Sequence, residues 1–443
     1  MTRLRAHPAG RISGSTTVPG DKSVSHRALM FAALAVGQSR IEGLLEGGDV
    51  LATAAALRGL GVEIERDPDG VWRVQGLGVG GLREPDQILD LGNSGTGARL
   101  LLGILAGQPF TTFMTGDASL RGRPMARVSA PLSQMGAAFV TRSGGRLPLA
   151  VTGSNSLLPI SYEQPVASAQ VKSAILLAGL HGPGRTTVIE PQASRDHTER
   201  LLRHLGATVT SEASADGGWA VSIMGQPELI ATDLRVPGCV SSAAFPLVAA
   251  ALGEGSSLRL EGVGINPLRT GLIETLGAMG ARLRQGPVED VSGEPATWLE
   301  LEAAPLAGVE VPAARAPSMI DEYPILAVAA ASARGTTRMH GLAELRVKET
   351  DRLAAMAAGL AACGVGVEAD ADSLTVHGCD GPPPGGATID ACHDHRIAMS
   401  FLVLGGVAKA PVTVEGAETI ETSFPGFATF MNRLGARIET VEG

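Results

Sequence analysis

The chain has 443 residues, 44% of them hydrophobic and 18% charged, so it is long enough for two domains with sizeable apolar cores. The formal net charge of −9 argues against a nucleic-acid or anionic-membrane partner, so an anionic ligand has to be held by local cations. No uncharged apolar run reaches the length of a membrane span, and the opening residues lack the apolar region of a signal peptide. With four cysteines and no Cys-x-x-Cys spacing, we expect reduced thiols and a cytoplasmic protein.

Lysine is rare in this chain. Only four of the 36 basic residues are lysines, at positions 22, 172, 348 and 409. Because Lys can give up its proton and Arg cannot, a lysine retained in an arginine-rich chain is a candidate for chemistry. Lys409, in an Ala-Lys-Ala-Pro loop, is the one that we expect to have no role.

One pattern recurs six times along the chain. An Ala/Leu-rich helix ends at Gly, a β-branched strand follows, and a second helix ends in Leu-Gly-Ala or a close variant before another strand. The copies begin near His26, Gly97, Val171, Ser241, Asp321 and Asp394. Their spacing of roughly 70 to 80 residues exceeds a solenoid period, so we expect six βαβαββ-type units.

Six units divide naturally into two domains of three. Two matching Val-Pro-Gly segments, residues 18–20 and 236–238, flank the first three copies and are interpreted as paired crossovers. We therefore predict an inserted domain of residues 21–235 and a discontinuous domain of residues 1–20 with 236–443. A site between two such domains could close on its substrate.

The first predicted helix opens with Gly-Asp-Lys-Ser-Val-Ser-His-Arg. Backbone N–H groups at this helix start, together with Lys22, Ser23 and Arg27, would form an anion site. A helix cap with exposed charges is an equally good interpretation. The next helix opens with Asn-Ser-Gly-Thr-Gly, where Gly95 would let a ligand approach the backbone, although a plain tight turn also fits.

Three later segments continue this pattern of polar helix starts. Arg123 lies in Leu-Arg-Gly-Arg-Pro-Met, and the run Ala-Ser-Ala-Gln-Val-Lys offers a hydroxyl and an amide. In Ser-Arg-Asp-His-Thr-Glu, the alternative to a ligand contact is a capping Ser194 followed by a solvated Arg195.

His393-Asp394-His395-Arg396 could suggest a metal site. On a strand, however, only the two histidines at i and i+2 would share a face, and no third ligand has matching spacing. We therefore expect no metal here, and Arg396 remains as a cation for an anionic ligand.

The segments Asp-Glu-Tyr-Pro, from 321, and Arg-Val-Lys-Glu-Thr-Asp-Arg, ending at 352, bracket one apolar helix and its return strand. We expect them to bring Asp321, Lys348, Glu349 and Arg352 to one site. Two carboxylates beside two cations are what acid–base chemistry on an anionic substrate requires. Taken alone, the second run also fits a solvated charged face.

These segments resemble the enolpyruvyl transferases, in particular the 5-enolpyruvylshikimate-3-phosphate synthase family and its bacterial class II branch. The motifs that carry the resemblance are PGDKSVSHR, GNSGTGARLL, LRGRPM, ASAQVKSA, SRDHTE, MIDEY, RVKETDRL and DHRIAMS. They span nearly the whole chain. The resemblance implies an α+β fold of two alpha-beta prism domains, each of three repeats, with the active site in the interdomain cleft.

The family reaction moves the enolpyruvyl (carboxyvinyl) group of phosphoenolpyruvate to the 5-hydroxyl of shikimate 3-phosphate and releases phosphate. It belongs to the shikimate pathway, which leads to chorismate and the aromatic amino acids. The resemblance implies a transferase that needs no cofactor and acts as a cytoplasmic monomer with domain closure. Its partners would be these two small molecules, with glyphosate as an inhibitor.

The resemblance also implies residue roles. The shikimate 3-phosphate contacts would be Lys22, Ser23, Arg27, Ser168, Ala169, Gln170, Ser194, Arg195, Asp321 and Lys348. The phosphoenolpyruvate contacts would be Lys22, Gly95, Arg123, Gln170, Arg352 and Arg396. Asp321 would be the base on the attacking hydroxyl, and Glu349 with Lys22 would protonate the methylene carbon.

The sequence departs from the commoner family pattern at three positions. Thr422 stands where many members have Lys, so one phosphoenolpyruvate contact is expected to be missing. Ala169 replaces a frequent Ser and Glu344 a frequent Asn. Glyphosate-tolerant class II members carry Ala at the position of Gly95, so we expect this chain to be more sensitive to glyphosate than they are.

Three other functions fit the sequence less well. The sister enzymes that use UDP-N-acetylglucosamine have a Cys in a mobile loop, whereas the corresponding Leu-Arg-Gly-Arg-Pro-Met here has none. A non-catalytic anion-binding protein on the same scaffold would be expected to lack Lys22, Asp321 or Glu349, and all three are present. A structural array would not need polar residues at so many helix starts.

Overall fold

The structure, a computed structural model, describes residues 2–214 and 217–441. The chain divides into two compact units. The first unit comprises the residues up to Pro19, Gly238–Glu289 and the residues from Pro295 onward, and the second comprises Gly20–Pro237 with Asp290–Glu294. No helix in the described ranges is long and apolar enough to cross a membrane.

Asp290–Glu294 was placed in the discontinuous domain by the sequence, but it groups with the inserted one. Hydrogen bonds account for this. The backbone N–H of Arg235 donates to Ser292 Oγ at 2.9 Å, and His197 Nδ1 lies 2.7 Å from Glu294 Oε1 in a buried pair.

The strands are short and run through the whole chain. In chain order they are Arg3–His7 (β1), Ser13–Thr17 (β2), Val36–Glu42 (β3), Glu63–Arg66 (β4), Trp72–Leu77 (β5), Leu89–Asp90 (β6), Thr111–Thr115 (β7), Ala138–Arg142 (β8), Arg146–Thr152 (β9), Ser161–Glu163 (β10), Arg185–Glu190 (β11), Val209–Ala213 (β12), Trp219–Met224 (β13), Leu234–Arg235 (β14), Ser257–Gly264 (β15), Arg282–Gln285 (β16), Glu289–Val291 (β17), Glu294–Glu302 (β18), Glu310–Val311 (β19), Thr336–Met339 (β20), Gly366–Ala369 (β21), Leu374–His377 (β22), Thr388–Asp390 (β23), Val412–Glu415 (β24) and Arg437–Thr440 (β25).

The helices alternate with these strands. They are Lys22–Leu34 (α1), Gly48–Gly59 (α2), Gly95–Leu105 (α3), Ala118–Gly122 (α4), Ala126–Gln134 (α5), Ala169–Gly179 (α6), His197–His204 (α7), Val240–Leu252 (α8), Gly271–Ala278 (α9), Ala316–Met319 (α10), Tyr323–Ser332 (α11), Arg352–Ala362 (α12), His395–Val407 (α13) and Phe427–Arg433 (α14). Short 3₁₀ segments lie at Ala313–Arg315, Ala343–Val347 and Ala417–Thr422.

Six small sheets repeat one pairing scheme, in which a parallel pair is followed by two antiparallel pairs. The second unit has the orders β14-β3-β5-β4, β6-β7-β9-β8 and β10-β11-β13-β12. The first unit has β2-β15-β18-β16, β19-β20-β22-β21 and β23-β24-β1-β25, and β17 also pairs with β18. This confirms the α+β fold of six repeats.

The N-terminal strands complete two sheets of the first unit. In β1, Leu4 lies opposite Val414 on one side and Thr440 on the other, both antiparallel. In β2, Ser13 pairs with Ser257 in parallel.

The apolar core of each unit surrounds three buried helices. In the second unit they are α1, α3 and α6, and in the first unit α8, α11 and α13. These helices are apolar on nearly every side because they pack against one another and against the sheets.

A glycine with positive φ ends the second helix of each repeat. These glycines are Gly61, Gly136, Gly206, Gly280, Gly364 and Gly435, with φ between 77° and 114°. Glycine populates this left-handed region at no steric cost, which explains why Leu-Gly-Ala recurs at helix ends.

Candidate active site

Six of the predicted site residues of the second unit, Lys22, Ser23, Gly95, Ser168, Ala169 and Gln170, lie at the N-terminal ends of its buried helices. Gln170, at the start of α6, donates to Thr96 Oγ1 at 3.0 Å and accepts from Arg99 Nη1 at 2.7 Å. Thr96 and Arg99 lie in the first two turns of α3. These bonds bring the starts of α3 and α6 together, although the residues are more than seventy positions apart in sequence.

Lys22 is the first residue of α1. Asp21 caps this helix by accepting from the backbone N–H of Val24 at 3.0 Å, so Lys22 lies in the first turn of the helix. Its Nζ lies 3.0 Å from Asp49 Oδ2, and 27% of its side chain is exposed. Lys22 is therefore held in place and open to solvent. Asp49 was not predicted from the sequence, since nothing in the residues around Asp49 indicates a contact with Lys22.

Arg27 is buried one turn further along α1. Its Nε donates to Thr198 Oγ1 at 2.7 Å, and its Nη2 donates to Ser173 Oγ at 2.9 Å. Its Nη1 donates to the carbonyl of Ser23 at 2.9 Å. Burial lowers the pKa of Arg27 to about 10, against the opposing charge of Glu199. Because the bonded oxygens are neutral, the guanidinium keeps its positive field for an anion.

Gly95 and Arg123 border the same space. Arg123 Nη2 donates to Asn93 Oδ1 at 2.8 Å and to Ser119 Oγ at 3.1 Å. A Cβ placed on Gly95 would lie 3.1 Å from Arg123 Nη1. The absence of a side chain at Gly95 therefore keeps open the space in front of the Arg123 guanidinium.

Ser168 is the N-cap of α6. Its backbone N–H donates to Gln164 Oε1 at 2.9 Å, and its hydroxyl makes no capping hydrogen bond. Ala169 follows as the first helical residue. The prediction that this segment opens a helix is confirmed.

The interpretation of Ser194 as a helix cap is wrong. Helix α7 begins at His197 with Asp196 as its N-cap, and the Ser194 hydroxyl instead donates to Glu190 Oε1 at 2.5 Å. The cap lies two residues later because the polar groups of Ser194 are engaged by Glu190 and Lys172 instead of the first turn of the helix. The charge of Arg195 contributes to the lowered pKa of Arg27, so both guanidinium groups act in one electrostatic neighbourhood.

In the first unit, Asp321 and the cations around it form one cluster. Asp321 Oδ1 accepts from Arg352 Nη1 at 3.2 Å and lies 3.6 Å from Lys348 Nζ. Its backbone carbonyl accepts from Arg396 Nη1 at 2.9 Å. The side chain is 15% exposed, so it is screened from bulk water without being closed off.

Arg352 joins the carboxylates of this cluster. Its Nη2 lies 2.5 Å from Glu349 Oε2, and its Nε donates to Asp394 Oδ2 at 2.7 Å. Burial alone would lower the pKa of Arg352, but the charges of Glu349, Asp394 and Asp321 outweigh it and raise the pKa. Arg352 is therefore a permanent cation. Glu349, at 27% exposure, has the more open carboxylate.

Arg396 forms an ion pair with the buried carboxylate of Glu322. Its Nη1 lies 3.4 Å from Glu322 Oε1, and Glu322 also accepts a short hydrogen bond from the Ser241 hydroxyl. Both Glu322 and Ser241 are buried. No role was predicted from the sequence for Glu322, which lies in the Asp-Glu-Tyr-Pro segment. A buried carboxylate directly before an apolar helix was the signal that could have found it.

The interpretation of His393 and His395 as residues of a strand is wrong. Asp394 is the N-cap of α13 and accepts from the backbone N–H of Arg396 at 2.8 Å, so His395 already belongs to the helix. The physical reason is the usual preference for Asp before an apolar helical run. The expectation that no metal binds here stays a prediction.

Two of the departures from the family pattern have a clear placement. The Thr422 hydroxyl donates to the carbonyl of Thr419 at 2.7 Å, within the 3₁₀ segment Ala417–Thr422. Glu344 lies in the 3₁₀ segment Ala343–Val347. The Thr422 hydroxyl thus binds a carbonyl of its own 3₁₀ segment. Its side chain is also too short to replace the ammonium of a lysine.

Comparisons with known proteins identify the family of this chain. A family model for EPSP synthase (3-phosphoshikimate 1-carboxyvinyltransferase) matches residues 6–431. The chain is 62% identical over 435 residues to the 3-phosphoshikimate 1-carboxyvinyltransferase of Paramagnetospirillum magneticum, covering 98% of each chain. It is 60% identical over 442 residues to that of Rhodospirillum rubrum, covering 99% of this chain and 98% of the relative.

Solved structures give the same picture. The EPSP synthase from Acinetobacter baumannii superposes with a TM-score of 0.91 at 45% identity, covering 100% of both chains. The enolpyruvyl transferase NikO from Streptomyces tendae has a TM-score of 0.80 at 21% identity, which is a likeness of fold, and covers 100% of this chain and 99% of that one. The chain therefore belongs to the EPSP synthase family, the 3-phosphoshikimate 1-carboxyvinyltransferases.

Proposed function

We propose that the two residue clusters divide the work of transferring the carboxyvinyl group of phosphoenolpyruvate to the 5-hydroxyl of shikimate 3-phosphate. The cluster of the first unit supplies the proton transfers, and that of the second unit supplies most of the anion binding. One observation supports this proposal. Asp321 and Glu349 both bind the guanidinium of Arg352, and Lys348 lies beside Asp321.

The chemistry needs a base at an oxygen and an acid at a carbon. We assign Asp321 as the base that takes the proton from the 5-hydroxyl as this oxygen bonds to the central carbon of phosphoenolpyruvate. Glu349, assisted by Lys22, delivers a proton to the methylene carbon, giving a tetrahedral intermediate. Loss of a proton from the new methyl group and departure of phosphate then restore the double bond, so protons and electrons balance.

Shikimate 3-phosphate needs cations and hydroxyl groups around its phosphate and ring. We assign this role to Lys22, Ser23, Arg27, Ser168, Ala169, Gln170, Arg195, Asp321 and Lys348, and to Ser194 through the position that it gives to Arg195. The fixed guanidinium of Arg27, bonded to neutral oxygens, is suited to a phosphate because no carboxylate is bonded to it. The unused Ser168 hydroxyl at the start of α6 can serve the same ligand.

Phosphoenolpyruvate carries a phosphate and a carboxylate, so it requires several fixed cations. We assign this role to Lys22, Gly95, Arg123, Gln170, Arg352 and Arg396. Glu322 and Asp394 hold Arg396 and Arg352, respectively, before the substrate arrives. Fixed cations stabilise the charge that develops on the departing phosphate without first having to reorganise.

Deuterium incorporation tests the assignment of an acid to the methylene carbon. With both substrates in D₂O, the intermediate acquires a CH₂D group, so part of the product should carry deuterium in its vinyl group. Glu349→Gln should greatly reduce both turnover and this incorporation. A product without deuterium, formed at the normal rate, would contradict protonation of the methylene carbon.

A further inference from the structure

Lys172 is a buried cation that the mechanism above does not use. It lies on α6, and its side chain is 0% exposed. Its Nζ lies 2.9 Å from Glu190 Oε2 and 2.8 Å from Glu199 Oε1, and it donates to the carbonyl of Ser194 at 3.1 Å. The ammonium thus has two carboxylates within ion-pair distance and one hydrogen bond, to the Ser194 carbonyl.

Charge keeps this cluster together. Burial lowers the pKa of Lys172, but the charges of Glu199 and Glu190 outweigh it and raise the pKa above its usual value. Burial raises the pKa of Glu199. Lys172 therefore remains an ammonium, and removing either contact at Ser194 would leave a buried polar group without its partner.

Ser194 is directed into this cluster by its own polar atoms. Its carbonyl accepts from Lys172 and its hydroxyl donates to Glu190 Oε1, with a longer contact of 3.4 Å from its backbone N–H to Glu190 Oε2. The hydroxyl proton of Ser194 is thus directed at Glu190 and not at a ligand. The next residue along the chain is Arg195.

We propose that Lys172 and Glu190 form a positioning pair that fixes the Ser194-Arg195 turn, so that Arg195 meets the phosphate of shikimate 3-phosphate. Ser194 is then a link in this chain of contacts and does not itself bind the phosphate. The inference rests on the proposed function, because it deepens the role of Arg195 in binding that substrate.

Two matched substitutions separate positioning from simple stability. Glu190→Gln and Glu199→Gln each remove one buried carboxylate from the same lysine, but only Glu190 also binds Ser194. Glu190 uses one oxygen for Ser194 and the other for Lys172, whereas Gln has a single acceptor oxygen and loses one of these bonds. Steady-state kinetics of the full chain, with phosphate release as the signal, is the readout.

We expect Glu190→Gln to raise KM for shikimate 3-phosphate about tenfold, on the order of one charged hydrogen bond, with kcat and KM for phosphoenolpyruvate within about twofold. Glu199→Gln should leave all three constants within about twofold. Equal changes in the two variants, or no change in either, would overturn the proposal. If Glu190→Gln fails to fold, Ser194→Ala replaces it, since this change leaves Lys172 and both glutamates in place.

A double-mutant cycle shows whether the effect passes through Arg195. In an Arg195→Gln background, adding Glu190→Gln or Ser194→Ala should change KM for shikimate 3-phosphate by less than about twofold. Additive effects would overturn the proposal. An unmodified chain that releases no phosphate with shikimate 3-phosphate would instead overturn the proposed function, so the two failures are distinguishable.

Discussion

Arg352 Nε donates to Asp394 Oδ2 at 2.7 Å, with both side chains buried. This bond fixes one edge of the guanidinium and turns the remaining nitrogens toward Asp321 and Glu349. Because a guanidinium is planar and carries five N–H donors, fixing one edge fixes the other two. Asp394 therefore determines where both carboxylates assigned to proton transfer lie.

The first prediction concerns Asp394→Asn. It leaves a buried cation one carboxylate short, and breaking a buried ion pair costs about 3–5 kcal/mol in the free energy of unfolding. We expect a lower Tm, and kcat/KM for phosphoenolpyruvate reduced at least about a hundredfold, because Arg352 loses its orientation. Thermal unfolding and steady-state kinetics measure the two effects.

Asp390→Asn is the matched control for this variant. Asp390 is an exposed carboxylate that accepts from the backbone N–H of Cys392 at 2.7 Å, and it contacts no cation assigned to substrate. Its Tm and kcat/KM should stay close to those of the unmodified chain. Equal losses of Tm and kcat/KM in the two variants would contradict the proposal that Asp394 orients Arg352.

The second prediction concerns Asp321→Ala. General base catalysis contributes about 10²–10⁴-fold, so kcat should fall by that factor. Circular dichroism should show an unchanged fold, and titration calorimetry should show that binding of shikimate 3-phosphate, which Asp321 also contacts, weakens far less than kcat falls. Asp86→Ala, at an exposed position, is the control. Normal turnover in Asp321→Ala would remove Asp321 from the mechanism.

The third prediction concerns glyphosate and Gly95. A methyl group on Gly95 would lie 3.1 Å from Arg123 Nη1 and narrow the space in front of that guanidinium. We expect Gly95→Ala to weaken inhibition by glyphosate at least about tenfold, with a smaller rise in KM for phosphoenolpyruvate. Inhibition assays at several phosphoenolpyruvate concentrations measure both.

Gly122→Ala is the control for Gly95→Ala. Gly122 immediately precedes Arg123 in the chain, and a Cβ on it would meet no atom within 4 Å. This variant should keep the original sensitivity. Unchanged inhibition in Gly95→Ala would contradict the proposed role of the small residue at this position.

The fourth prediction concerns stability at acid pH. His26 is buried with its Nδ1 2.8 Å from Thr53 Oγ1, and burial lowers its pKa from 6.5 to about 3. Between these values the unfolded chain binds a proton that the folded chain does not. The free energy of unfolding should therefore fall as pH falls below 6.5, by about 2 kcal/mol from this residue between pH 7 and pH 5.

Urea unfolding of His26→Asn at pH 7 and pH 5 tests this linkage. The loss of stability between the two pH values should be smaller by about 2 kcal/mol than in the unmodified chain. His377→Asn, at an exposed position, should keep the original difference. An unchanged pH dependence in His26→Asn would contradict the assignment.

The sequence predicted much of the fold because the signals are local. Apolar runs with a polar first turn predict the buried helices, and the glycine in Leu-Gly-Ala or a close variant predicts the helix ends at Gly61 and its five equivalents. The helix and return strand between Asp321 and Lys348 are confirmed as α11 and β20. Each of these features depends on neighbours within a few residues.

The partners of the site residues were harder to find because they are distant in sequence. Arg27 and Thr198 are 171 positions apart, and Arg352 and Asp394 are 42 apart. Such pairs depend on how the sheets and helices pack, which composition and periodicity do not specify. Asp394 was instead examined as part of a metal motif on a strand, although its position before an apolar run already favoured a helix cap.

The measurement that tests the central claim most directly is phosphate release from phosphoenolpyruvate, with either shikimate 3-phosphate or UDP-N-acetylglucosamine as the acceptor. We expect release with shikimate 3-phosphate alone, and we expect it to be lost in Asp321→Ala. Release with the nucleotide sugar would move the chain to the sister reaction on the same fold. No release with either acceptor, from a folded chain, would contradict the proposed catalytic roles.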